Sequence, residues 1–199
     1  PVAYDKLAYA LCRPPGHHAS ADMAAGFCYF NNAALAAVHI SSLGHRVAIL
    51  DIDVHHGNGT QAIFYADPAV LTVSIHADPA RFYPFFWGYA HERGAGPGEG
   101  GNLNLPLTRG TDDANYLQAL DTALDRVKAH KPDILVLAAG LDIAQEDPFQ
   151  GFAITRSGFE RIGKQIRKAN LPTIVIQEGG YPSPSLAGNL AALLSGLGA

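Results

Sequence analysis

Apolar residues in this chain gather into short, nearly unbroken runs at positions 47–52, 70–75, 134–139 and 173–176. Runs of that length predict strands buried on both faces. Between them the spacing becomes helical. Residues 32–42 are Ala-rich and stop just before Gly44, a helix-end signal. Residues 112–130 carry Tyr116, Leu117, Leu120, Leu124 and Val127 as one apolar stripe. Residues 155–169 start at Thr155, a capping residue, and present Phe159, Ile162 and Ile166; residues 185–197 form a last helix. Strands alternating with helices predict an α/β fold, a mostly parallel sheet flanked by helices on both faces. The interval 77–102 breaks this rhythm. It mixes glycines and prolines with Phe82, Tyr83, Phe85, Phe86 and Trp87. A loop this long and aromatic predicts the wall of a site or of an interface.

At 199 residues the chain fits a single domain. Charged residues make up only 16% and hydrophobic ones 48%, so extensive burial is expected, with a contact between copies of the chain as one use of the surplus. The formal net charge of −4 carries no basic footprint for nucleic acid. Cys12 and Cys28 lack zinc-ribbon or C-x-x-C spacing and read as small buried hydrophobes. Residues 1–6 do not read as a signal peptide, and no apolar run reaches the ~20 residues that span a bilayer. We therefore expect a soluble, cytoplasmic protein without membrane partners.

The chemistry concentrates where strands end. The first apolar run passes directly into Asp51-Ile52-Asp53-Val54-His55-His56-Gly57. The second holds Ser74 and His76 at its end, the third leads to Gly140-Leu141-Asp142, and the fourth to Gln177-Glu178-Gly179-Gly180-Tyr181. In a parallel sheet these ends share one rim, where ligands of open α/β sheets bind. Asp51, Asp53 and His55 alternate, so an extended backbone would point them to one side. Asp53, His55 and Asp142 then make a three-ligand set with a free fourth position, the pattern of a catalytic zinc. The plainer alternative is a salt-bridged, hydrogen-bonded turn.

Two further features fit such a rim. Arg13-Pro14-Pro15-Gly16-His17-His18 sets two imidazoles side by side after a turn. One can act as base or acid near neutral pH while the other sets the local field. Tyr181 follows two glycines that let backbone approach a ligand, and its phenol can donate to a developing oxyanion. Hydrogen-bonded loop histidines and a packed tyrosine are the alternatives.

Together these stretches resemble the zinc-dependent deacetylases of the arginase/deacetylase fold, which include histone deacetylases and acetylpolyamine amidohydrolases. The matching segments are RPPGHHA (13–19), GFCYFNNAA (26–34), DIDVHHGNGTQ (51–61), VSIHADP (73–79), GLD (140–142) and EGGY (178–181). The loop at 82–107 is most similar to the acetylpolyamine amidohydrolase-like and class II branches. The resemblance implies Zn²⁺ on Asp53, His55 and Asp142, with His18 as general base and acid and His17 as its electrostatic partner. It implies that Asp51 and Asn58 orient these imidazoles, that Tyr181 stabilises the oxyanion, and that Phe27 and Tyr83 wall an acyl-amine tunnel. It further implies a structural K⁺ on Asp51 with backbone oxygens of Asp53, His55, Ser74 and Ile75, and a second monovalent site near Phe64. The implied reaction is hydrolysis of N-acetyl groups on acetyl-lysine or acetylpolyamine-type amines. Arginases share the fold but use two manganese ions; His55-His56-Gly57 and Tyr181 favour the single-zinc branch.

One departure shapes the expectations. The tandem histidines come far earlier than in full-length relatives, so an N-terminal portion of the family domain is expected to be missing. From this we expect a wider site accepting small esters as well as amides, and self-association into a homo-oligomer over uncovered apolar surface. A promiscuous carboxylesterase on the same site, and a catalytically silent fragment that binds only metal or a partner, remain alternatives.

Overall fold

The computed structural model describes residues 7–199. The reading of the first six residues lies outside the described residues. In chain order the elements begin with β1 (Leu7–Ala10), α1 (Asn32–Ser42), β2 (Val47–Asp51), α2 (Asn58–Phe64) and β3 (Val70–Ala77). They continue with β4 (Asn102–Leu107), β5 (Thr111–Asp112), α3 (Asp113–His130) and β6 (Ile134–Ala139). They end with β7 (Phe152–Ala153), α4 (Arg156–Arg167), β8 (Thr173–Gln177) and α5 (Leu186–Leu197). A six-stranded sheet runs β1-β8-β6-β2-β3-β4, every pairing parallel, and β5 pairs with β7 separately.

The sheet is buried on both sides, which explains why its central strands read as unbroken apolar runs. Alternate residues of β2 point to opposite faces. Val47 and Ile49 join Ala33, Ala37 and Ile40 of α1 and Phe64 of α2 in one core. Ala48 and Leu50 join Tyr116, Leu120 and Leu124 of α3, Phe159 and Ile162 of α4 and Leu193 of α5 in the other. The helix starts follow capping chemistry: Asn31, Asp112 and Thr155 each accept a backbone N–H in the first turn of α1, α3 and α4.

Several elements differ from expectation. β1 and the β5–β7 pair are too short to leave a periodic trace. β4, Asn-Leu-Asn-Leu-Pro-Leu, has its asparagines buried in polar contacts, so its alternation does not separate core from water. α2 opens with Asn-Gly-Thr-Gln, which reads as a turn but is buried. Cys28 is buried as expected, whereas Cys12 is only partly so; both are free thiols. No helix among the described residues is long and apolar enough to cross a membrane.

Candidate active site

β2 lies centrally, its last residue Asp51 in register with Ser74 of β3 and Ala138 of β6. Past Asp51 the backbone is not extended, contrary to expectation. Asp51 Oδ1 accepts from the Asp53 amide at 3.0 Å, and Asp53 Oδ1 accepts from the His55 amide at 2.9 Å. Each carboxylate thus turns the chain by bonding the amide two residues on. The side chains converge through these successive turns rather than through strand alternation.

The outcome is a buried trio. His55 Nδ1 lies 3.1 Å from Asp53 Oδ1 and 3.0 Å from Asp142 Oδ2. Backbone holds both carboxylates: besides the His55 amide on Asp53 Oδ1, Gly179 N–H donates to Asp53 Oδ2 at 2.8 Å, and Val54 N–H to Asp142 Oδ1 at 2.9 Å. A Cβ at Gly179 would come within 2.5 Å of Asp142 Oδ2 and 2.6 Å of Asp53 Oδ2, so backbone closes on the carboxylates as no larger residue allows. This donor set fits a small divalent cation. The trio's ligand atoms all lie within 4.8 Å of one another. Tetrahedral ligands about 2.1 Å from a metal are roughly 3.4 Å apart. Burial pushes the Asp142 carboxyl up to about 7, while its bonds to Asp142 and Asp53 overcome the burial penalty on His55 and raise it to about 10. Within the trio, protonated His55 is the sole source of positive charge, and a dication would supply it instead.

The tandem histidines sit beside this trio with unlike partners. His17 Nδ1 lies 2.8 Å from Asp51 Oδ2, and its Nε2 lies 3.7 Å from Asp53 Oδ1. Burial opposes charge on His17, but Asp51 and Asp53 outweigh it and hold its pKa well above the ordinary imidazole value. His18 Nδ1 lies 2.7 Å from Asn58 Oδ1. Burial and the neighbouring His17 lower its pKa to about 3. Because an amide oxygen only accepts, Nδ1 of His18 carries the hydrogen and Nε2 keeps its lone pair. Gly26, at φ +51°, makes room for this ring: a Cβ there would lie 2.2 Å from His18 Cδ2.

These groups open on a cavity of about 440 Å³ lined by His18, Gly26, Phe27, His55, Tyr83, Phe85, Phe149 and Tyr181. The structure thus brings His18, His55, Tyr181, Phe27 and Tyr83 to one chamber, with His17, Asp51, Asn58, Asp53 and Asp142 packed beneath or beside it. Burial and the carboxylates of Asp53, Asp142 and Asp147 raise the Tyr181 phenol, keeping it a donor. Phe85 lines the chamber as a member of the predicted aromatic wall, whereas Phe149 escaped the sequence reading. Phe149 packs edge-on to both His55 and Tyr181, at 5.2 and 4.6 Å between ring centroids. Its one signal was its place seven residues after Asp142 in the same rim loop. The long aromatic loop is a wall in part only: Tyr83 and Phe85 face the chamber, whereas Phe86 is 78% exposed.

His76 is not brought to the chamber. Its ring bonds Ser74 Oγ and the Gly88 carbonyl, both at 2.8 Å, and packs against His56. His56 in turn meets Gln61 Oε1 at 3.0 Å, which also accepts from Asn102 and Asn104.

Fold and site together define a parallel α/β protein with a buried carboxylate–imidazole cluster at the carboxyl ends of its strands. Residues 2–197 match the histone deacetylase domain, and the chain belongs to that family. It is 50% identical over 192 residues to an acetylpolyamine amidohydrolase of Burkholderia pseudomallei (strain 1710b), covering 96% of this chain and 56% of that one. It is 48% identical over 192 residues to acetylpolyamine amidohydrolase 1 of Pseudomonas aeruginosa, with coverage of 96% and 56%. Among solved structures, an acetylpolyamine aminohydrolase from Burkholderia pseudomallei superposes with a TM-score of 0.95 at 50% identity, covering 98% of this chain and 57% of that one. The chain thus spans a little over half the length of these relatives.

Proposed function

We propose that the chain carries the hydrolytic centre of a zinc-dependent deacetylase acting on acetylated amines of the acetyl-lysine or acetylpolyamine type. The observation that carries this is the chamber itself: an imidazole with a free lone pair, a phenol and the imidazole of the buried carboxylate–imidazole trio face one apolar-walled space. Relatives named acetylpolyamine amidohydrolase support the substrate class. Asp53, His55 and Asp142 would hold the zinc ion, whose chemistry is to polarise an acyl carbonyl and to make water acidic near neutral pH.

The chain's own residues supply the rest. His18 Nε2 takes a proton from the attacking water and later gives it to the departing amine nitrogen, so that amide plus water become amine plus acetate. Asn58 fixes the tautomer that makes this direction of transfer available. His17, held by Asp51, stays charged and keeps His18 from protonating before its turn. Tyr181 donates its phenol hydrogen to the oxygen on which negative charge develops. Phe27, Tyr83, Phe85 and Phe149 exclude water from an acyl chain.

A second reading, hydrolysis of small esters at the same centre, is favoured by the open wall, since Phe27 is 68% exposed. Exposed Tyr29, Phe30, Phe86 and Trp87 support self-association. The reading of Asp51, Asp53, His55, Ser74 and Ile75 as a K⁺ site is supported by the adjacency of the β2 and β3 ends.

The test is hydrolysis of matched acetyl-lysine and aryl-acetate substrates by metal-quantified protein, before and after chelation and zinc return. Activity that is lost and then restored at about one zinc per chain is the expected result. The amide-to-ester ratio separates deacetylase from esterase, and full zinc loading without turnover on either substrate refutes both. A monomer in sedimentation at micromolar concentration refutes self-association.

A further inference from the structure

We propose that Asp147 is a positioning residue for Tyr181, fixing the phenol over the chamber through the tyrosine's own backbone amide. The inference rests on the deacetylase reading of the site. Tyr181 follows Gly179 and Gly180, the latter at φ +138°. Two glycines let the backbone pass close to the carboxylates, but they leave the following residue poorly constrained. Something else must fix it, and the structure shows what does.

Asp147 lies in the loop that leaves β6, five residues past Asp142, and is buried. Its Oδ1 accepts from Phe149 N–H at 2.9 Å, closing a local turn. Its Oδ2 accepts from Tyr181 N–H at 3.3 Å, across to the segment after β8. The same two segments are joined by Leu141 N–H to the Gly179 carbonyl at 2.8 Å and by Ser185 Oγ to Glu146 Oε2 at 3.1 Å. One carboxylate therefore sets both the phenol and the Phe149 ring that packs edge-on to it. Charge on the acceptor strengthens both bonds.

The chemistry of an amide separates the two roles. In Asp147→Asn the side-chain oxygen keeps the local turn to Phe149, while its NH₂ group faces the Tyr181 N–H, and two donors repel. We expect kcat on an acetyl-lysine substrate to fall roughly tenfold and KM to stay within about twofold, because the phenol acts on the transition state and the wall is intact. In the Tyr181→Phe background the same substitution should cost less than about twofold, since the hydroxyl it positions is gone. An equal loss in both backgrounds, or none in the wild-type background, overturns the proposal. Asp147→Ser replaces the Asn variant if that one does not fold; it keeps an oxygen for Phe149 but is too short for Tyr181, and the same outcomes apply.

Hydrogen exchange of the segment 178–185 gives a readout without turnover. Faster exchange there in Asp147→Asn, with α3 and α4 unchanged, is expected; unchanged exchange at 178–185 overturns the brace. If the wild-type protein hydrolyses neither acyl-amine nor ester, the deacetylase reading fails, and the exchange result still decides whether Asp147 holds Tyr181.

Discussion

His55 and His56 are neighbours in sequence, yet they enter two buried polar clusters of opposite character. His55 joins Asp53 and Asp142 and borders the chamber. His56 joins His76, Gln61, Asn102 and Asn104, where most partners are amides and carbonyls. In the first cluster, carboxylates lift His55 to about 10; in the second, burial lowers His76 to about 4. Both exclude water, so burial does not distinguish a site from a scaffold. The difference is the concentration of negative charge around a single imidazole that borders the chamber. His76 as a neutral ring has one donor bond and one acceptor bond and needs nothing more. The trio concentrates two buried carboxylates behind one imidazole that lines the chamber.

If that contrast is right, the clusters should respond differently to substitution. The largest effect is expected for Asp53→Ala: metal content near zero by elemental analysis and hydrolysis down at least about a thousandfold. Retained activity would place the site elsewhere. Next, His18→Ala should lower kcat by about a thousandfold while metal content holds at the wild-type level. Metal loss in that variant would mean His18 belongs to the ligand set and not to proton transfer.

The scaffold cluster should show in stability instead. Burial depresses His76 in the folded state to about 4, with Gly88, Glu92, Asp78 and Ser74 opposing the shift. The unfolded chain then binds the extra proton first, so stability is full above about pH 6.5 and falls as pH drops toward 4. This residue's share of that loss is about 3 kcal/mol. Urea unfolding of His76→Gln should show a shallower acid limb, with kcat at pH 7 within about threefold of wild type. An unchanged acid limb would break the comparison. The smallest effect is expected for Gln61→Leu, which strands the donors of His56, Asn102 and Asn104. It should lower unfolding free energy by about 2 kcal/mol in denaturant titration and change kcat by less than about twofold.

Sequence patterning carried the central sheet because β2, β3 and β6 are buried on both faces, and burial on both faces leaves an unbroken apolar run. It carried α3 and α4 through their stripes and caps. It pointed to Asp53, His55, Asp142 and Tyr181 through their places after strand ends, and to His17 and His18 through the tandem pair and the family resemblance. It did not carry the turns by which Asp51 and Asp53 bend the chain, since i, i+2 spacing serves a strand and a side-chain-capped turn equally. Asp147 and Phe149 stayed hidden because loop residues have no period. β4 and α2 stayed hidden because their buried asparagines and glutamine answer to polar neighbours instead of to a core.

β1 has its parallel partner, β8, at the far end of the chain, with Leu7 opposite Thr173. Synthesis runs at about 5–20 residues per second, so the stretch from His17 to Tyr181 takes roughly ten to thirty seconds to emerge. Through that interval the tandem histidines lack Glu178, whose carboxylate receives the amides of Gly16 and His17. On the ribosome, the chamber therefore cannot close until the segment after β8 has emerged.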